Sequence, residues 1–94
     1  MSCTVRVELH QASADDYDDL HAAMKSEGFS RFIQDSEGTN YELPTAEYNW
    51  PGKEGKNEVL DAAKRGAEST GLKYAILVTK SDGRTWTGLK KVKR

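Results

Sequence analysis

One cysteine, two prolines and two histidines are the whole of those residue types in this 94-residue chain. The lone thiol, Cys3, can form neither an internal disulfide nor a cysteine-based zinc site, which suits a reducing compartment. No run of about eighteen apolar residues is present, so no segment reads as a membrane-spanning helix and no membrane partner is expected. The chain opens on an alternating strand pattern rather than the basic and then apolar stretch of a secretory leader, and a cytoplasmic location is expected. Its glycines are scattered through turns without the fingerprint of a phosphate-binding loop, and there is no internal repeat. A dinucleotide-dependent enzyme is thereby disfavoured, and no cofactor is expected.

Charge, by contrast, is abundant and unevenly placed. Residues 1–50 hold three basic side chains (Arg6, Lys25 and Arg31) against ten acidic ones, whereas residues 51–94 hold eleven basic against five acidic. Two readings stay open: solvated faces that attract each other within one molecule, or a basic surface for RNA or an acidic partner. With 36% hydrophobic residues, the chain can build one thin two-layer core. A single domain over residues 1–94 is expected, ending in a basic tail from about residue 88.

Residues 4–10 alternate strictly, Val5, Val7 and Leu9 against Arg6, Glu8 and His10, as a half-buried strand does. Ser13 offers an N-cap three residues ahead of Asp16, and the apolar stripe Tyr17, Leu20, Ala23 and Met24 predicts a helix from Ala14 to the stop at Gly28. Residues 29–34 read as a second strand, turned by residues 35–40 into a return strand that Pro44 makes irregular before it continues over residues 46–50. A second helix is predicted from a cap at Asn57 to Thr70, with Leu60, Ala63 and Ala67 facing inward and Gly66 lowering its intrinsic helicity. Residues 73–79, the most apolar run, predict a well-buried last strand. Beyond a turn at residues 81–83 comes a candidate fifth strand, residues 84–87, and then a tail expected to fray. The order βαββαβ closes most naturally as an α+β plait, a four-stranded antiparallel sheet with both helices on one face.

Several strings resemble the GhoS family of small bacterial proteins along nearly the whole chain. They are Thr4-Val-Arg-Val-Glu-Leu-His10, Asp16-Tyr17, Leu20-His-Ala-Ala-Met24, Gly28-Phe-Ser-Arg31, Leu43-Pro-Thr-Ala-Glu-Tyr48 and Leu77-Val-Thr79. The resemblance implies a ferredoxin-like plait, similar in fold to the small CRISPR-associated ribonucleases. It also implies the antitoxin of a type V toxin-antitoxin pair, a sequence-selective endoribonuclease that cuts the messenger RNA of a small membrane-active toxin. Those ribonucleases are associated with an aspartate at the end of the first strand, where this chain has His10 followed by Gln11; no metal site is expected.

RNA cleavage needs an activated nucleophile, a proton for the leaving oxygen and positive charge beside the crowded phosphate. Histidine and arginine suit these tasks, so His10, His21 and Arg31 are the catalytic candidates. Each has a plainer reading. His10 is an ordinary strand-end residue, His21 fills the edge of the helix stripe, and Arg31 pairs with Asp35, Glu37 or a helix carboxylate. Arg84, Trp86, Lys90 and Lys91 are candidate RNA-binding residues, continued by Lys93 and Arg94; the plainer reading is a solvated tail with Trp86 packed beneath it. Tyr41, Tyr48 and Trp50 are candidates for a stacking platform or for packing. The aspartates at 15, 16, 18 and 19 are favoured by the helix dipole alone. The alternative to an endoribonuclease is a noncatalytic module that binds RNA or protein, including a homodimer in which residues 84–87 join a neighbour's sheet edge.

Overall fold

The alternation in the first strand translates directly into burial. In the computed structural model, which describes residues 2–92, strand β1 (Cys3–Leu9) buries Cys3, Val5, Val7 and Leu9 on one face and turns Arg6 and Glu8 to the other. Helix α1 (Ala14–Ser26) starts on a full capping box, in which the Ser13 side chain accepts from the Asp16 amide and Asp16 accepts from the Ser13 amide. It ends at Glu27, and Gly28 follows at φ +106, a conformation that glycine adopts without penalty. Leu20 and Met24 are its buried residues, and the Tyr17 hydroxyl accepts from the Leu9 amide, tying the helix to the end of β1.

The rest of the chain runs β2 (Phe32–Gln34), β3 (Asn40–Glu42), β4 (Glu47–Trp50), α2 (Lys56–Glu68) and β5 (Tyr74–Lys80). The result is an α+β fold with two sheets. An antiparallel sheet in the order β4-β1-β5 carries both helices on one face, where Val59, Ala62, Ala63 and Ala67 of α2 join Leu20, Met24 and the β1 side chains in one core. Strands β2 and β3 pair as a separate two-stranded hairpin. Small residues let the helices approach closely: a Cβ built on Gly66 would meet Met24 Sδ at 2.7 Å.

In place of the expected single four-stranded sheet, the five strands divide into three and two. The predicted strand over residues 29–34 is broken at Arg31. Ser30 exchanges both main-chain hydrogen bonds with Asn49 of β4 (2.9 and 2.7 Å), and the next ladder pair would be Phe32 with Glu47. Instead the Glu47 carbonyl accepts from Arg31 Nη1 at 2.7 Å, and the Phe32 amide turns to Ser30 Oγ. The chain peels off β4 and pairs with β3. The return strand is interrupted around Pro44, as expected, but more deeply than an irregularity: with Ala46 at φ +74 it splits into β3 and β4, which join different sheets. Helix α2 is capped at Gly55, not Asn57, with no side-chain cap bond, and Val59 and Ala62 are buried where Leu60 is only half-buried.

The apolar run that becomes β5 is not well buried; it is an edge strand with Ala75, Leu77 and Thr79 exposed. Residues 84–87 form no strand. Nor do residues 90–92 fray. They line up beside β3 through hydrogen bonds from the Glu42 amide to the Lys90 carbonyl (2.8 Å) and from the Val92 amide to the Asn40 carbonyl (2.9 Å). Lys93 and Arg94, the end of the expected basic tail, lie outside the described residues. Among the described residues no helix is long and apolar enough to cross a membrane.

Candidate functional site

Helix α1 carries His21 one position past Leu20, so the imidazole stands at the border between core and solvent. Its Nδ1 lies 2.5 Å from the hydroxyl of Tyr48, whose ring is buried in β4, with ring centroids 5.6 Å apart and tilted edge-on. Burial pushes the Tyr48 phenol well above its usual range, so it stays protonated. Burial first, and the Arg31 charge second, hold His21 below its usual 6.5, so the imidazole is neutral at neutral pH. One turn further along the same face of α1 comes Lys25.

Arg31 reaches the same place from the other side. Its Nη1 donates to the carbonyls of Pro44 and Glu47, both at 2.7 Å, its Nη2 lies 3.7 Å from Glu42 Oε1, and its Cζ stands 5.7 Å from the centre of the Tyr48 ring. None of the carboxylates expected as partners, Asp35, Glu37 or those of a helix, takes that role. The guanidinium braces the broken β3–β4 connection while its charge faces His21. Together His21, Lys25, Phe29, Ser30, Arg31 and Phe32 line a cleft of about 400 Å³.

No protein-family model and no curated protein matches the chain.

The structure thus brings two of the three catalytic candidates together and leaves the third apart. His10 is exposed at the far end of β1, with Nε2 3.9 Å from Glu8 Oε1, and lines a different hollow with Gln11, Gly71, Leu72 and Lys73. Arg84 is engaged within the chain and only half-buried. It lies against the sheet face opposite the helices, donating to Thr4 Oγ1 (3.0 Å), the Cys3 carbonyl (3.3 Å) and Asn49 Oδ1 (2.9 Å), and burial lowers its pKa. Trp86 packs edge-on against Tyr41 at 5.4 Å. Tyr48 and Trp50 likewise serve packing, against Phe29 at 6.3 and 4.9 Å.

Lys90 and Lys91 have a different setting. Both are exposed, and with Glu42 and Val92 they line a hollow of about 420 Å³ whose remaining wall is Phe32. Phe32 also walls the His21 cleft and is 44% exposed, an unusual exposure for a ring. Two basic hollows therefore meet at one aromatic side chain. Lys25, Phe32 and Tyr48 were missing from the catalytic candidates; the four-residue interval from His21 to Lys25 was the available signal for the first. Phe32 and Tyr48 join the site only through tertiary contacts.

Proposed function

We propose that the chain is a GhoS-type antitoxin, a sequence-selective endoribonuclease acting on a toxin messenger RNA. On this reading the fold is a ferredoxin-like plait whose fourth strand has shrunk to the single Ser30–Asn49 bridge. The observation that carries the reading is the meeting of the His21–Lys25–Arg31 cleft and the Lys90–Lys91 hollow at the exposed ring of Phe32. An RNA strand laid along that line stacks a base on Phe32, and its phosphates face cations on either side.

In the tautomer where Nδ1–H donates to Tyr48, His21 leaves its Nε2 lone pair to act as base. It takes the proton of a ribose 2′-hydroxyl. The 2′-oxygen attacks the adjacent phosphorus, the bond to the 5′-oxygen breaks, and that oxygen takes a proton from water. Lys25 and the fixed charge of Arg31 offset the negative charge that builds on the phosphate. The products are a 2′,3′-cyclic phosphate end and a 5′-hydroxyl end, with no cofactor in the step.

One observation favours the noncatalytic alternative: Arg31 Nη1 already spends both protons on main-chain carbonyls, leaving charge but few free donors for a phosphate. Incubating the purified chain with the transcript of a short membrane toxin encoded beside it separates the two readings. Site-specific products with cyclic phosphate ends support catalysis. Salt-sensitive binding without products, across pH and added metals, replaces it with the binding module.

A further inference from the structure

Strand β5 closes one side of the three-stranded sheet, and among the described residues no strand pairs with its outer edge. Its ladder with β1 can be phased. The His10 amide donates to the Lys73 carbonyl (2.9 Å) and the Ser81 amide to the Ser2 carbonyl (2.8 Å), so both pairs are hydrogen-bonded ones. Bonding alternates along an antiparallel pair, so Ala75, Leu77 and Thr79 turn their main-chain groups toward β1, while Tyr74, Ile76, Val78 and Lys80 turn theirs outward.

Exposed edges are normally blunted by proline, a bulge, central charge or shortness. β5 has none of these: it runs seven residues as Tyr-Ala-Ile-Leu-Val-Thr-Lys, with its one charge at the end. The C-terminal segment, which could have covered it, crosses the sheet in the other direction, as the contacts of Arg84 with Thr4 and Asn49 and of Lys91 with Tyr41 establish. At the midpoint of the strand stands Leu77, 64% exposed on the sheet face away from the helices.

We propose that β5 pairs antiparallel with β5 of a second copy of this chain, about a two-fold axis at Leu77. The occupant follows from the self-complementarity of that register. Tyr74 meets the partner's Lys80, Ile76 meets the partner's Val78, and Ala75 meets the partner's Thr79, so no lysine faces a lysine. All four outward-turned residues find a partner, each pair exchanging two hydrogen bonds. Leu77 meets the partner's Leu77 across the axis, which hides the most exposed large hydrophobic side chain of the described residues. The axis stands perpendicular to the sheet, so a continuous six-stranded layer forms with all four helices on one face. This pairing is independent of residues 84–87 and of the ribonuclease reading.

Sedimentation equilibrium on the full chain tests it. Between about 10 μM and about 1 mM the mass should move from 10.5 kDa toward twice that value. Leu77→Lys places like charges across the axis without touching the core, and Val78→Pro removes an amide that bonds nothing in β1. Each should weaken association about tenfold or more, and Leu77→Lys should keep the wild-type circular dichroism. The proposal is overturned if the mass stays at that of one chain throughout, if Leu77→Lys associates like the wild type, or if assembly continues past two copies.

Discussion

His21 Nδ1 and the hydroxyl of Tyr48 are hydrogen-bonded at 2.5 Å, joining an exposed helix face to a buried strand residue 27 positions away. Burial and Arg31 hold the His21 pKa below 6.5 in the folded chain, whereas the unfolded chain titrates near 6.5. The unfolded state therefore binds the extra proton first as pH falls. Stability from this site is fully present above about pH 6.5 and is lost as pH falls through the lower folded value. Urea midpoints at pH 7.5 and 5.0 should show this loss in the wild type, and His21→Gln, which cannot titrate, should show less of it. An equal loss in both proteins would assign the effect to other groups.

Arg31 is predicted to matter for folding before it matters for RNA. Its short bond to the Glu47 carbonyl stands in for the missing Phe32–Glu47 ladder pair, and its second bond holds the Pro44 carbonyl in the β3–β4 connection. Lysine ends one bond short of Nη1 and lacks the rigid plane that aims its two N–H groups, so Arg31→Lys should cost about 1.5–3 kcal/mol, the usual worth of hydrogen bonds to a charged group. Denaturant titration measures it, and amide exchange at Leu43 and Asn49 should accelerate, because both sit beside the break. A variant of wild-type stability would mean that the guanidinium only decorates the turn.

Some of this was legible in the sequence and some was not, and the division is physical. β1 and α1 follow from local signals, strict alternation in the one and a Ser13–Asp16 cap with a 3.6-residue stripe in the other. The break at Arg31 follows from where one guanidinium finds carbonyls 13 and 16 residues away, which no local pattern encodes. The pairing of residues 90–92 with β3 has the same character, since a lysine-rich tail reads as solvated until a free strand edge accepts it. For β5 the hydrophobic content was right but its meaning was not, because apolar residues mark a buried strand and an unpaired edge alike. The site divides similarly: His21 and Arg31 were named, and only the fold brings them beside Lys25 and separates them from His10.

Gly66 sets two effects against each other. Alanine there would gain about 1 kcal/mol of helix propensity. Its methyl would also press on the fully buried Met24 at the α1–α2 contact, and such overpacking costs about 1–3 kcal/mol. Gly66→Ala should therefore lower the thermal midpoint. A raised midpoint would show that Met24 moves aside freely.

Arg84 pins the C-terminal segment to the sheet through Thr4, Cys3 and Asn49. Arg84→Ala should free residues 82–92, so that trypsin cuts at Lys90 and Lys91 much faster while the helices stay protected. An unchanged digestion pattern would locate the anchoring in Trp86 and the β3 pairing instead.

Cleavage of one RNA target by three proteins, compared under single-turnover conditions, decides which histidine serves as the base. The cleft at His21 predicts that the wild type and His10→Ala cut at equal rates and that His21→Ala slows at least a hundredfold, within the usual range for losing a general base. Loss of cutting in His10→Ala with retention in His21→Ala would place the base at His10 and leave the His21 cleft without a catalytic part.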